Sequence, residues 1–348
     1  MGNEFILSIF DYAIKNNASD IHLSEGNKIT YRIDGVLSIA EEFGVIDLQK
    51  IKEILIILLK SNKENINKFL INHELDFAYV HTDGVSFRVN AFYRLGKISF
   101  VMRRISNKVM TMEELLLPPS TKLFTELKSG LVLITGPTGA GKSTTMVSIL
   151  EKINNERGEH ILTIEDPVEF IFTDNKSIFS QREVGIDTNS FRDALRSSLR
   201  EDPNIIMIGE LRDRETVQSA LELAETGHLV ISTLHTSSSI QTVNRLISFF
   251  PIESQPLVRE KLSESLKGVL SQRLVPRIGG GRIGIFELMI VNTGIKNLIR
   301  NGNINQMFTY IETGSNYGMI HMQKYADLLR DKGLIKESDY INYFKDQA

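Results

Sequence analysis

Hydrophobic and polar positions change period several times along the chain, and each change marks an element. Phe5, Ile9, Tyr12 and Ala13 recur at helical spacing and predict an amphipathic helix at the start. Asp20 to Ser24 then alternates polar and apolar, as a half-buried strand does. Ile29 to Ile33 and Val36 to Ala40, joined by Asp34-Gly35, read as a hairpin. Residues 48–60 have helical periodicity, and Asp76 to His81, Phe87 to Phe92 and Ile98 to Arg103 read as further strands. Together they predict a small α+β domain.

The pattern shifts after Leu115-Leu116-Leu117, where Pro118-Pro119 marks a boundary. A predicted helix, Thr121 to Lys128, leads into Leu131 to Ile134, and from there the strands are almost wholly apolar: Ile161 to Ile164, Ile205 to Ile208 and Leu229 to Thr233. Continuous apolar strands separated by helices indicate a parallel sheet covered on both faces. Gly279-Gly280-Gly281 introduces a strand at Arg282 to Leu288, and after Val291 the pattern is helical to the end. The organisation expected is a domain over 1–112, a linker over 113–120, and a second domain over 121–348 whose last helices begin at 291.

Composition narrows the class. A chain of 348 residues exceeds what one core usually serves, and 42% apolar against 24% charged residues is ordinary for a water-soluble protein. Forty basic and 43 acidic residues leave a net charge of −3, which argues against a general nucleic-acid binder. With no cysteine, disulfides and Cys-ligated zinc are excluded, and a reducing cytoplasm is a fitting home. The most apolar run, Ile54 to Leu59, is far shorter than the ~20 residues that cross a bilayer, and the N-terminus lacks a signal-peptide pattern.

The strongest chemical signal is Gly136-Pro137-Thr138-Gly139-Ala140-Gly141-Lys142-Ser143, followed by Thr144, which satisfies the P-loop pattern in full. Glycines let consecutive backbone N–H groups turn inward around an anion, and the helix from Ser143 to Asn154 points its positive end at the same place. Lys142 supplies a point charge to the β- and γ-phosphates of ATP, and the Ser143 hydroxyl is a Mg²⁺ ligand. A chance glycine-rich turn would lack the buried strand before and the helix after.

Acidic residues follow other strands of the same predicted sheet, where ligands bind in open parallel sheets. Glu165 and Glu169 follow Ile161 to Ile164, and Glu210 ends Ile205 to Gly209. Hydrolysis needs one carboxylate to orient the attacking water and another at the metal. Glu210 is the candidate for the metal, and Glu169 or Glu165 the candidate base. Taken singly, a strand-end acid is more often a helix cap. His228 and His235 bracket Leu229 to Leu234, and the place of His235 beyond that strand suggests a γ-phosphate sensor, although a lone histidine is more often structural.

These segments resemble the secretion ATPase superfamily that powers type II secretion and type IV pili. Residues 136–144 look like its Walker A, TIEDPVEF at 163–170 like its Asp box, IIMIGELRD at 205–213 like its Walker B and TGHLVISTLHT at 226–236 like its His box. SDIHLSEG at 19–26, FRVNAF at 87–92 and TMEEL at 111–115 are similar to its N-terminal domain and the exit from it. The resemblance implies a RecA-like α/β P-loop core, an N-terminal α+β PAS-like domain, a helical C-terminal region, and a homo-hexameric ring. It implies Glu169 as general base, Glu210 at Mg²⁺, His235 on the γ-phosphate, and Arg88 with Arg103 or Arg104 as arginine fingers. Read without the family, those arginines would be solvated strand residues.

Extension and secretion members usually carry a long N-terminal extension and a tetracysteine zinc module, and this chain has neither. Gly294 to Arg300 looks instead like the AIRNLIR motif of PilT-type retraction ATPases, with Gly294 in place of Ala and Lys296 in place of Arg. The expectation is therefore a cytoplasmic retraction motor docked on the inner face of the cytoplasmic membrane through a pilus platform protein, with no nucleic-acid partner. The alternatives are an assembly or secretion ATPase without its zinc module, a nucleotide-responsive subunit that does not hydrolyse, and a DNA translocase.

Overall fold

The computed structural model describes residues 2–33, 35–60, 62–105 and 109–345. It divides into two compact units, 1–108 and 109–348. Asp34 of the expected hairpin turn lies outside the described residues.

The first unit runs α1 (Gly2–Lys15), β1 (Asp20–Ser24), β2 (Thr30–Ile33), β3 (Val36–Ile39), α2 (Leu48–Leu58), α3 (Lys63–Asn72), β4 (Glu74–Val80), β5 (Ser86–Arg94) and β6 (Lys97–Ile105). Its six strands form one antiparallel sheet in the order β3-β2-β1-β6-β5-β4. Ile6, Ile9, Phe10 and Ala13 of α1 and Ile51, Ile54, Leu55 and Leu58 of α2 are buried with Ile21, Leu23, Tyr31, Phe87, Val89, Phe100 and Met102 of the strands. The strand period of two sends the intervening residues, Arg32, Asp20, Arg103 and Arg88, to the opposite face. Asp47 caps α2 by accepting from the Lys50 N–H at 2.8 Å. Sequence reasoning missed α3, whose KENINKFLIN buries only Phe69.

The second unit runs α4 (Leu123–Glu126), β7 (Gly130–Thr135), α5 (Lys142–Glu156), β8 (His160–Glu165), β9 (Ile178–Glu183), α6 (Phe191–Ser198), β10 (Ile205–Ile208), α7 (Arg214–Glu225), β11 (Leu229–Leu234), α8 (Ser239–Ser248), α9 (Gln255–Ser265), β12 (Leu266–Pro276), β13 (Arg282–Ile290), α10 (Thr293–Asn301), α11 (Met307–Thr313), α12 (Met322–Asp331) and α13 (Glu337–Lys345). The seven strands lie in the order β13-β12-β7-β11-β10-β8-β9. All neighbours are parallel except the edge pair β12 and β13.

Alternate residues of the buried strands feed two cores. Leu131 and Leu133 of β7 face one layer, with Leu195 of α6, Val217 of α7, Leu246 of α8, Leu262 of α9 and Ile299 of α10. Val132 and Ile134 face the other, with Met146, Ile149 and Leu150 of α5, Phe124 of α4, and Met322 and Leu329 of α12. Helices on both faces are why β7, β10 and β11 tolerate no polar side.

Three expectations need correction. The predicted helix Thr121 to Lys128 is a 3-10 turn, Pro119–Lys122, followed by the single turn of α4, because the Gly130 start of β7 leaves no room for more. The sheet is not wholly parallel. The strand at Arg282 to Leu288 joins it only through β12, an 11-residue strand absent from the sequence reading.

One departure from the motif lies beside an aromatic ring. A Cβ on Gly294 of α10 would overlap the ring of Tyr310 on α11. Lys296 and Arg300 of α10 both pair with Glu264 of α9, Lys296 at 2.9 Å.

Candidate functional site

Four adjacent parallel strands end at one rim of the second sheet, in the order β7, β11, β10, β8. The phosphate loop leaves β7, His235 follows β11, Glu210 follows β10, and Glu165 closes β8 with Glu169 just beyond. Parallel strand direction, not sequence proximity, collects these residues.

The loop bends as its glycines permit. Gly136 and Gly141 have φ of 153° and 84°, and a Cβ on Gly136 would strike the Gln272 carbonyl. Gln272 also donates from Nε2 to the Ala140 carbonyl at 2.7 Å, so β12 grips the loop near both ends. Gly141 caps α5 with no side chain, whereas Asp47, Ser190, Asp213, Ser238 and Asn292 cap α2, α6, α7, α8 and α10. The first-turn N–H groups of α5 are thus left for an anion rather than for a cap.

Lys142 donates from Nζ to the Gly136 carbonyl at 2.9 Å and the Pro137 carbonyl at 3.2 Å, and lies 3.4 Å from His235 Nδ1. Burial pushes its pKa down, while the charges of Glu210 and Glu169 push it back up. An ammonium only donates, so His235 Nδ1 is the acceptor and Nε2 carries the proton, 3.3 Å from Glu210 Oε1. The other Glu210 oxygen accepts from Arg212 Nε at 3.0 Å, and Arg212 Nη1 reaches Asp166 at 3.2 Å. A continuous polar chain thus runs from the loop lysine to the segment after β8.

The two β8 acids differ sharply. Glu165 is buried, with its pKa pushed up to about 7 by that burial, against hydrogen bonds from Thr163 at 2.8 Å and from the Glu169 N–H at 3.4 Å. Glu169 is exposed, and its charge reaches Lys142. The two acids thus offer a solvent-facing carboxylate and a buried anchor beneath it.

Ser143 stands half-buried in the first turn of α5. Among the described residues no three His, Cys, Asp or Glu side chains gather as a metal cage. One hydroxyl and a strand-end carboxylate suit Mg²⁺, which keeps waters and leans on substrate phosphates rather than on an all-protein shell. Gln181 and Glu183 of β9 accept from the Phe172 and Val168 N–H groups, which fixes the 166–172 segment. His228 is structural, its Nδ1 lying 3.1 Å from the Leu223 carbonyl.

Arg88, Arg103 and Arg104 belong to the first unit. Arg103 Nε donates to Asp20 at 2.8 Å, and Arg104 Nη1 donates to Asn17 Oδ1 at 3.2 Å. Arg88 is exposed, and among the described residues it has no side-chain partner. Sequence reasoning missed Gln272 and Arg212. For Arg212 a signal existed, since it lies two residues beyond Glu210. Gln272 could not be found while β12 itself was unread.

A family model described as Type II/IV secretion system protein matches residues 3–325. The type IV pilus retractation ATPase PilT of Pseudomonas aeruginosa is 43% identical over 96% of each chain. A twitching motility protein of Neisseria gonorrhoeae is 44% identical over 76% of this chain and 71% of its own. Among solved structures, the pilus retraction motor PilT with bound ADP superposes with a TM-score of 0.91 at 41% identity, covering 97% of this chain and 96% of that one. The ATPase DotB of Legionella pneumophila gives 0.84 at 27% identity, over 98% of this chain and 95% of its own.

Proposed function

This chain belongs to the Type II/IV secretion system protein family, and from that membership we propose that it is a hexameric motor that hydrolyses ATP to retract a type IV pilus. The carrying observation is the convergence of Lys142, His235, Glu210 and Glu169 on four adjacent strand ends. The ADP bound to the PilT relative supports nucleotide as the ligand of this loop.

The roles follow from position. Backbone N–H groups of 136–144 and the uncapped start of α5 cradle the phosphates, with Lys142 neutralising the β- and γ-oxygens. Ser143 and Glu210 would hold Mg²⁺, which neutralises charge on the phosphate oxygens when bound. Glu169, the exposed acid, takes the proton of the attacking water as its oxygen bonds to the γ-phosphorus. The bond to the β–γ bridging oxygen breaks, leaving ADP and phosphate. Glu165, buried and hydrogen-bonded to the Glu169 N–H, would hold that segment in place and is the second candidate for the base. His235, bridging Lys142 and Glu210, reads the γ-phosphate. Arg88 with Arg103 would supply guanidinium charge to the transferring phosphoryl group, whereas Arg104, the alternative to Arg103, projects from the other face of β6.

The domain at 1–112 and the linker at 113–120 would make the N-terminal domain the moving part. The motor works in the cytoplasm against the inner face of the membrane, held by a platform protein. No described helix is long and apolar enough to cross a membrane, and the −3 balance gives nucleic acid no general hold.

Deleting the gene is the direct test. Excess pili without twitching support retraction, whereas a bald cell overturns it in favour of an assembly ATPase. At the bench, Lys142→Ala should abolish turnover while the melting temperature holds, and turnover at the wild-type rate would sink the site assignment.

A further inference from the structure

On the non-core face of the first sheet, one row of side chains carries nearly all the charge at its centre. The ladder sets Arg32 and Arg103 on either side of Asp20, and Arg88 directly opposite Arg103. The row therefore runs Arg32, Asp20, Arg103, Arg88: Arg88 lies beside Arg103, while Asp20, only 4% exposed, separates Arg32 from Arg103.

Its two oxygens have separate duties. Oδ1 accepts from Arg103 Nε at 2.8 Å, while Oδ2 accepts from Ser19 Oγ at 2.8 Å and faces Arg32 Nε at 3.7 Å. Arg32 is committed elsewhere, since its Nη1 donates to the Gly35 carbonyl at 2.9 Å. Arg103 is not. Its side chain is 71% exposed, and among the described residues neither Nη group has a partner. Burial alone would raise the Asp20 pKa, but the Ser19 and Arg103 hydrogen bonds and the Arg103 charge outweigh it and hold the carboxyl below its ordinary value.

Tethering a guanidinium by Nε leaves its planar Nη pair as a fork with one orientation, the geometry that engages phosphate bidentately. We propose that Asp20 is a positioning residue for phosphoryl transfer, tethering Arg103 by Nε so that its two Nη groups are held as a fixed fork for a phosphoryl group. This rests on the reading of Arg103 as a finger, and it adds the acid that aims it. Holding the side chain beforehand removes the rotamer search from the barrier.

The test is a double-mutant cycle in the full chain at assembly concentration, reading kcat, KM for ATP and melting temperature. Arg103→Ala should lower kcat by about 10²-fold or more. Asp20→Ala should lower kcat by about 10-fold with KM unchanged. In the Arg103→Ala background the Asp20→Ala change should have no further effect on kcat. Asp20→Asn retains an acceptor for Nε and is the variant safe for folding, and its kcat should stay within about 3-fold of wild type. A kcat loss from Asp20→Ala that is equally large without Arg103 would mark a merely structural acid and overturn the tether. So would an Asp20→Asn kcat as low as that of Arg103→Ala. If Arg103→Ala is impaired and Asp20→Ala is not, the tether fails while the finger stands. Normal kcat in Arg103→Ala overturns the finger reading and the tether with it.

Discussion

Glu165 and Glu169 stand four residues apart after one strand, and burial gives them different chemistry. Glu169 faces solvent, so Glu169→Gln should remove the proton acceptor at unchanged shape and lower kcat by at least ~10²-fold with ATP binding retained. Nucleotide binding measured beside turnover checks the split. Glu165 behaves in the opposite way. Its carboxyl is pushed up to about 7 from an ordinary 4.5, so the folded state holds its proton more tightly than the unfolded chain does. The stability this gives is fully present below pH 4.5 and is lost as pH rises through 7, a change on the order of 3 kcal/mol. Glu165→Gln keeps a neutral group at every pH. The variant's melting temperature should therefore fall less than wild type's between pH 5 and 8, and parallel curves would contradict the assignment.

At the scale of elements, legibility followed burial. β7, β8, β10 and β11 were readable because a parallel strand covered on both faces is apolar along most of its length, and the residues at or beyond their ends became site candidates by position alone. β12 was not readable. It follows α9 with no intervening turn, and its LKGVLSQRLVP carries Lys267, Ser271, Gln272 and Arg273. Those polar residues break the apolar run because one of them serves the loop next door. Gln272→Leu should leave the buried Ala140 carbonyl unpaired and weaken ATP binding by roughly 10-fold, which titration with ATP in the Glu169→Gln background would measure. The single-turn α4 was overread for a related reason, since an apolar pattern gives type more securely than extent. In α10, the methyl of Gly294→Ala would meet the Tyr310 ring, which is 41% exposed and can turn outward, so the net change should stay within about 1 kcal/mol once the better helix propensity of alanine is set against it. Adding Tyr310→Ala should relieve that clash, so the double variant melts above the sum expected from the singles.

Over the whole molecule, the reading depends on more than one copy of the chain. Turnover per chain should rise with protein concentration and follow a species of six times 39.4 kDa, and Arg88→Ala should lower kcat without shifting that mass. Concentration-independent turnover by a monomer would leave the phosphate loop standing but break the ring. The fit between Gly294 and Tyr310 bears on how such motors are compared across lineages. Scored column by column, the glycine looks like decay of the retraction motif, a step towards lost coupling. In three dimensions the same position faces the Tyr310 ring, so the residue on α10 and the ring on α11 are read together. A chimera that transplants either helix alone would part the glycine from the ring beside it, and would meet that contact with whatever residue the other parent supplies.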